Sequence, residues 1–529
     1  MRACRAPLVN VHKTVRALIG VGLCGVGLWL ALAVPYQSHT FRIDAGGCRL
    51  VTDIVEPAPP ASSSVGATPE GYVVLFHGLS ANKRIMSYLT AGFAAQGLRV
   101  FVPDLPGHGR TAGPFSYARS EECTENLVRE LIARGLLDPE RTILAGHSLG
   151  GAIALRAAAQ IPVAGVIAIS PAPMRPVPGV SPEMMPFNGF PTLPAHSLVM
   201  SASGDPVQIR RGARDLVPIP SDGTSQYVII PHATHVSVLF DPAVMSNAQI
   251  WVQSVLHRPS PPHLPARKGL AGFLAGLAGI LLLAGPFLRE TLQKKDSTPI
   301  AENANSVGLV RAGVEYALIA LGVVGVLSYV NPLRLLHLFE GDYFAGFLLI
   351  LGPVLLVLHW NALRDLFGAR ARDGRPARSL TFTMLAAGFT ALLLHFLSTA
   401  WIDLSFSEAW LTAEKWARFA PLCIAILPYH AAEELYLGPV LPGVGHTLRR
   451  LPTALGLRLI AWAALVLGVF VLHSGEVLLV LLAPSFFLFC VLQTWGMKVV
   501  REVTGSPAAA ALFGAILLAG FCLVVFPTT

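Results

Sequence analysis

Long apolar runs with almost no charge restrict this chain more than any other feature. Ala17 to Val34, Gly269 to Leu288, Tyr316 to Val330 and further runs reaching Val525 are of this kind. Most approach the roughly 20 residues that cross a bilayer as a helix. Across 529 residues, 53% are hydrophobic and only 13% are charged, which is too apolar for an ordinary soluble protein. The chain therefore reads as a polytopic membrane protein with one soluble insert. A net charge of +8 would admit a nucleic-acid partner. The basic residues of the C-terminal half, however, sit mainly in short segments between apolar runs. Membrane topology accounts for them, and no nucleic acid is expected.

Four divisions follow. Arg2, Arg5, Lys13 and Arg16 precede the first apolar run, as in a signal sequence with its basic end in the cytoplasm. Ala31-Leu32-Ala33 fits a signal peptidase, but the run is long for a cleaved signal, so 1–36 is read as an uncleaved signal-anchor helix. Residues 37–257 form the soluble domain and 258–268 a proline-rich linker. Residues 269–529 form a transmembrane domain of about eight helices, centred near 278, 320, 352, 391, 430, 465, 486 and 517. Alternate loops of this domain carry Arg289, Lys294, Lys295 and Arg311; Arg364, Arg370, Arg372, Arg375 and Arg378; Arg449, Arg450 and Arg458; Lys498 and Arg501. The other loops carry only Arg334, Lys415 and Arg418. This asymmetry predicts a bacterial inner-membrane protein whose soluble domain is extracytoplasmic. The count requires a tight turn around His473 to Glu476, after the short run Leu459 to Leu472.

Within the soluble segment, a hairpin is expected from Phe41-Arg42-Ile43-Asp44 and Cys48 to Val55, turning at Gly46-Gly47. Strands follow at Tyr72 to Phe76, Leu98 to Val102, Thr142 to Ala145, Val163 to Ile169, Ser197 to Ser201 and Tyr227 to Ile230. Helices are expected near Ser87 to Gln96, Glu121 to Arg134, Leu149 to Gln160 and Pro242 to Leu256. Such alternation implies an α/β class with a doubly wound, mostly parallel sheet covered on both faces. Seven cysteines lack metal-binding spacing, so neither metal nor other cofactor is expected. Cys423, Cys490 and Cys522 read as apolar fillers in membrane runs. Cys48 and Cys123 are the only two in the soluble region, and the sequence leaves a disulfide between them open.

Chemistry concentrates at Gly146-His147-Ser148-Leu149-Gly150-Gly151, between the strand Thr142 to Ala145 and a helical stretch. Glycines flank Ser148 because a nucleophile on so sharp a strand-to-helix bend needs neighbours without side chains. A serine hydroxyl also needs a histidine base and an acid that orients it, arriving later in the order serine, acid, histidine. Asp205 follows the strand ending at Ser201, and His235 follows the strand ending at Ile230. Asp215 and Asp222 are rivals for the acid, and His232 for the base. The oxyanion hole is assigned to the backbone amides of Leu149, directly after the nucleophile, and of Leu79 in His77-Gly78-Leu79. His77 itself reads as structural.

Phe76-His77-Gly78-Leu79, Pro103-Asp104-Leu105-Pro106-Gly107-His108-Gly109, the Gly-His-Ser-Leu-Gly-Gly elbow, and the later Asp205 and His235 together resemble the α/β-hydrolase superfamily over about 39–257. The resemblance implies the α/β-hydrolase fold and serine-hydrolase machinery, with Asp104 and His108 structural. It leaves esterases, lipases, peptidases, thioesterases and acyltransferases open. Only about 26 residues separate Ser170 from Ser197, where larger relatives carry a helical lid. Met174, Met184, Met185, Phe187 and Phe190 make that segment apolar, so it either borders an acyl pocket, rests on a membrane, or packs over the core.

Ionisable residues inside a bilayer are costly and each raises a functional question. His430, Glu433 and Glu434 share one helix face. Glu433-Glu434-Leu435-Tyr436-Leu437-Gly438 faintly resembles the first motif of the CAAX-processing glutamate proteases. Gly438 stands where that family carries arginine, His473 is off its spacing, and no third motif follows. The cluster is therefore read as fixing helix packing or as a lipid or ion site. Glu315, His359 and His395 are expected to pair locally.

The expected activity is hydrolysis of a carboxylic ester of a small-molecule or lipid acyl substrate, with Ser148, Asp205 and His235 catalytic and membrane lipids as neighbours. A peptidase or acyltransferase with the same triad is the alternative, as is a transport or scaffold protein regulated by its hydrolase domain. Oligomeric state is left open.

Overall fold

The computed structural model describes residues 6–33, 36–57, 69–174, 187, 193–217, 225–258, 263–292, 308–330, 333–361, 364, 377–441, 449–472 and 477–529. They cluster into two compact units: 25–276 with 401–412 and 527–529, and 1–24 with 277–400 and 413–526. This division cuts through the apolar helices at both ends of the soluble segment and adds two distant segments to it.

The first unit is built on an eight-stranded sheet. β1 (Gln37–Ala45) and β2 (Cys48–Glu56) form the expected hairpin. Gly46 and Gly47 both take positive φ, 56° and 80°, which the favoured two-residue hairpin turn requires and glycine supplies without strain. β3 (Gly71–Phe76), β4 (Leu98–Pro103), β5 (Thr142–His147), β6 (Gly165–Ile169), β7 (Ser197–Ala202) and β8 (Gln226–Ile230) complete the sheet in the order β1-β2-β4-β3-β5-β6-β7-β8. The hairpin joins β4 antiparallel, and every later pairing is parallel. β3, β5, β6 and β7 are buried at every residue, because helices cover both faces. That is why these strands read as unbroken apolar runs rather than alternating ones.

The first helix, α1 (Ala6–Leu32), precedes the sheet; α2 (Ser87–Ala94), α3 (Tyr117–Ala133), α4 (Leu149–Gln160) and α5 (Val207–Arg214) connect its strands, and α6 (Pro242–Val255) follows the last of them. α5 is not among the sequence-expected helices. It is only eight residues long and carries three arginines, so its buried face of Ile209, Gly212 and Ala213 is too short to mark it as a helix in the sequence. Cys48 and Cys123 form a disulfide that ties the hairpin to α3 across 75 residues. This resolves the pairing that the sequence left open.

Segment 401–412 is clipped to the same unit by ion pairs. Glu408 meets the ammonium of Lys83 and, at 3.3 Å, the Arg110 guanidinium, which also reaches Asp403 at 3.2 Å. Lys83 in turn pairs with Asp104 at 2.8 Å. Burial and the negative charge of Asp104 push the Glu408 carboxyl up to about 7, from an ordinary 4.5. A carboxyl raised by folding binds its proton more tightly in the native state. Its stabilisation is complete below about pH 4.5 and is lost as pH rises through about 7. We expect the thermal midpoint of the protein to fall between pH 5 and pH 8 by an amount worth roughly 1 to 3 kcal/mol. Glu408→Gln should flatten that slope, and an unchanged slope in scanning calorimetry would refute the assignment to Glu408.

Eight helices among the described residues are long and apolar enough to cross a membrane: Thr14–Leu32, Lys268–Thr291, Leu309–Leu327, Gly341–Leu358, Leu380–Ser405, Arg450–Val471, Ala483–Thr504 and Pro507–Val525. The expected span near 430 is the helix Ala413–Leu435, which falls outside that set. It carries Glu414, Lys415, Arg418, Glu433 and Glu434 and two internal prolines. The span expected near 486 lies further on, at Ala483–Thr504, behind the short helix Val477–Leu481. Lys498 and Arg501 are thus helical rather than in a loop, and so are Arg450 and Arg458. The turn 473–476 lies outside the described residues.

The second unit explains those arginines. Arg458 grips Glu433 with two hydrogen bonds, Nε to Oε1 at 2.7 Å and Nη2 to Oε2 at 2.8 Å, and reaches Gln493 at 2.6 Å. His430 bonds Glu433 at 3.0 Å through Nδ1 and Gln493 at 3.1 Å through Nε2. Arg450 meets Glu434 at 2.5 Å, with Arg501 at 3.9 Å. All of these side chains are buried. Both glutamates face guanidinium groups, so the cluster matches a packing device that joins three helices. Glu315 pairs locally as expected, with His359 at 2.6 Å and the Tyr436 hydroxyl at 2.5 Å. His395 instead lies among the rings of Phe396, Trp416 and Phe419.

Candidate active site

β5 ends at His147, and α4 begins at Leu149, leaving Ser148 alone on the bend. Its φ of 53° and ψ of −116° are strained for a non-glycine residue, a conformation that surrounding packing must impose. The packing is visible at the glycines. A Cβ on Gly150 would meet the backbone carbonyl oxygens of Phe76 and, at 2.6 Å, of His77; one on Gly151 would stand 3.0 Å from the Gly146 oxygen. Backbone lies on each side, so nothing yields. Gly150→Ala is expected to destabilise the protein by about 2 to 3 kcal/mol and to weaken labelling of Ser148 by a fluorophosphonate probe. A thermal midpoint within error of the parent would contradict this packing.

The three sequence-assigned side chains meet. His235 Nε2 lies 3.1 Å from Ser148 Oγ, and His235 Nδ1 lies 2.7 Å from Asp205 Oδ1. Since Asp205 can only accept when ionised, Nδ1 donates to it and Nε2 is left to accept the serine proton. Asp205 sits in the turn after β7. Burial would raise its carboxyl, but the hydrogen bond and charge of His235, the Ser170 hydroxyl and the Ala202 amide outweigh that and hold it below the ordinary value. Ser170 Oγ donates to Asp205 Oδ2 at 2.6 Å and the Ala202 amide to the same oxygen at 2.8 Å. Asp205 therefore keeps the ionised form that steadies a protonated imidazole.

His232 is exposed, three residues before His235. Asp215 is exposed at the end of α5, and Asp222 lies outside the described residues. α5 begins after Pro206, with no side-chain cap bond.

The loop that carries Gly78 and Leu79 lies against the bend. Among the described residues, neither the Leu79 nor the Leu149 amide has a protein acceptor. The neighbouring Ser80 amide, by contrast, is taken by His108 Nε2 at 3.2 Å. Unpaired amides beside a nucleophile suit an oxyanion that forms only during reaction. Gly78 is required by packing. A Cβ there would stand 3.2 Å from the Ser148 Cβ and 3.0 Å from His147 Nδ1, so glycine lets the loop lie directly on the elbow.

The remaining motif residues are structural, as the resemblance implies. His77 donates from Nδ1 to the Gly78 oxygen at 2.8 Å and accepts the Leu105 amide at 3.0 Å. Burial pushes it down to about 4, which keeps it neutral at neutral pH. Asp104 accepts from the Lys83 and Arg110 amides at 2.9 and 3.0 Å, besides its ion pair with Lys83.

Two positioning residues were not found from the sequence. His147, buried and pushed down to about 3 mainly by burial, donates from Nε2 to the His235 carbonyl at 2.8 Å and so holds the base's loop. Ser170 holds the acid. Its signal was its place one residue beyond β6, at the sheet rim where the acid's strand neighbour must end. Of the short segment between β6 and β7, Met174 and Phe187 are buried. Phe187 packs edge-on to Tyr117 at 5.9 Å, with the Arg156 guanidinium 5.3 Å above its ring, which favours packing over the core for this residue. Met184, Met185 and Phe190 lie outside the described residues.

Residues 73–201 match the family model described as the alpha/beta hydrolase family. Over 129 residues the chain is 32% identical to a monoacylglycerol lipase of Mycolicibacterium smegmatis, covering 24% of this chain and 42% of that protein. Over 103 residues it is 33% identical to a pimeloyl-[acyl-carrier protein] methyl ester esterase of Edwardsiella ictaluri, covering 19% and 36%. The chain thus spans less than half the length of the curated relatives it matches. Among solved structures, it aligns with an a/b serine hydrolase without lid from Xanthomonas campestris at 18% identity and TM-score 0.33, covering 43% of this chain and 97% of that one. A thermostable carboxylesterase from a metagenomic library gives 16% identity and the same TM-score of 0.33, covering 47% and 98%.

Proposed function

We propose that the α/β-hydrolase domain of this chain is a membrane-anchored serine hydrolase that cleaves carboxylic esters through an acyl-enzyme. The observation that carries this reading is the continuous hydrogen-bonded relay from Ser148 through His235 to Asp205. In the proposed cycle, Ser148 Oγ attacks the ester carbonyl carbon while its proton passes to His235 Nε2. The carbonyl oxygen becomes an oxyanion held by the Leu79 and Leu149 amides. His235 then returns the proton to the leaving alcohol, and water repeats the sequence to release the acid. Asp205 keeps the imidazole oriented and stabilises its charge.

An ester as substrate is supported by the activities in the names of the two curated relatives, a monoacylglycerol lipase and a methyl ester esterase. A lipid or acylated substrate is supported by the apolar helices in the same chain, which would hold the domain at a bilayer surface. The Cys48–Cys123 disulfide supports an extracytoplasmic face, since such bonds persist in oxidising compartments.

Purified full-length protein should hydrolyse short-chain and medium-chain nitrophenyl esters and react with a fluorophosphonate at Ser148. In intact cells, a membrane-impermeant fluorophosphonate should label it as well as in lysates. Labelling confined to lysates would overturn the orientation, and absence of ester turnover in the labelled, folded protein would overturn the substrate class. Cellular function that survives Ser148→Ala but not loss of the membrane helices would favour a transport or scaffold role instead.

A further inference from the structure

A cavity of about 620 Å³ in the hydrolase-containing unit is separate from the triad: none of Ser148, Asp205 and His235 lines it. That volume is in the range of small-molecule sites. It lies where three apolar helices terminate, since Leu30 near the end of α1, Lys268 at the start of Lys268–Thr291, and Ser405 at the end of Ala377–Ser405 all line it. If those helices cross a bilayer, the cavity stands at headgroup level.

Its walls carry two kinds of surface. One side is apolar, with Leu30, Leu270 and Phe406. Phe406 is stacked between Phe240 at 5.7 Å and Phe273 at 4.6 Å, so that wall is rigid. The other side presents Arg84, Arg267 and Lys268. Lys83 also lines the cavity but is consumed by Asp104 and Glu408. The three other cations have no carboxylate partner among the described residues. Arg84 spends one donor on the Leu404 carbonyl at 3.0 Å, and Arg267 hydrogen-bonds the Tyr88 hydroxyl. The one lining carboxylate, Asp53, accepts the Thr40 hydroxyl at 2.7 Å, and burial raises its pKa. It therefore balances at most one of the three.

Three cations around one cavity, with one carboxylate to offset them, repel each other. They also stand on the side of the helices where the loops carry few basic residues, the reverse of what topology alone would place there. Both costs vanish if an anion with an apolar tail occupies the space. We infer that this cavity binds an anionic phospholipid, its phosphate between Arg84, Arg267 and Lys268 and its acyl chains along Leu30, Leu270 and Phe406. The inference goes beyond the catalytic reading and does not depend on it.

The test is native mass spectrometry of the full chain in detergent, titrated with phosphatidylglycerol or with phosphatidylcholine of identical chains. One phosphatidylglycerol should be retained in preference to phosphatidylcholine. The variant Arg84→Gln/Arg267→Gln/Lys268→Gln should bind it about a hundredfold more weakly, each single substitution accounting for about fivefold. The single variants keep the test readable if the triple variant does not accumulate, and fluorophosphonate labelling of Ser148 reports that each is folded. Equal retention of the two lipids, or undiminished binding by the variants, would overturn the inference. Displacement of the lipid by millimolar inorganic phosphate would also overturn it, by identifying the site as one for a free anion.

Discussion

Ser148→Ala is expected to lower ester turnover by about a millionfold, to the level that oxyanion stabilisation and binding alone sustain. His235→Ala should cost about as much, and the double variant little more, because the serine without its base and the base without its serine are equally idle. Asp205→Asn separates orientation from nucleophilicity. The amide keeps the shape of the acid, but it presents an N–H to His235 Nδ1 or forces the other tautomer, which costs about ten-thousandfold. The structure makes this substitution cleaner than usual. Ser170 and the Ala202 amide hold the far oxygen of Asp205, so the asparagine stays in place. Single-turnover assays on the purified chain, with thermal melting to show that each variant is folded, give these values. If the losses from Ser148→Ala and His235→Ala multiplied in the double variant, the two side chains would not act as one relay.

The hydrolase fold was legible because local signals agreed with each other. Gly46-Gly47 announced a hairpin, buried strands read as apolar runs, and the elbow glycines stood between a strand and a helix. Agreement between levels of that kind is what makes a sequence specify one structure. Ser148, Asp205 and His235 were legible for the same reason: topology dictates which strand ends must supply them. What stayed hidden depends on contacts with no sequence period. Nothing in the order of residues joins Cys48 to Cys123, Glu408 to Lys83, or Ser170 to Asp205. The arginines show the cost of a one-dimensional reading. Arg450, Arg458 and Arg501 lie close enough to the ends of apolar runs to pass for loop charges, yet the helices extend through them and turn them onto Glu433 and Glu434. The remaining basic residues and the Cys48–Cys123 disulfide are what support the proposed orientation.

Arg458→Leu is expected to destabilise the helical unit by about 3 to 5 kcal/mol, more than any surface change in this chain, because it strands a buried charge. Glu433 would keep only His430 at 3.0 Å, having lost both guanidinium bonds, and Gln493 would lose the donor to its side-chain oxygen. Water cannot replace those partners where the glutamate is 3% exposed. The double variant Arg458→Leu/Glu433→Leu removes both charges and should recover much of the loss, since a buried ion pair contributes little over well-packed apolar groups of similar volume. Thermal unfolding of the full chain in detergent, followed by fluorescence, measures both. Recovery in the double variant identifies the pair as a packing device that selects the helix register. A single variant as stable as the parent would instead mean that Glu433 is reached by water or an ion, and the cluster would have to be read as a site. Ser148 labelling distinguishes the two levels of effect: it should persist in both variants if the loss is confined to the helices.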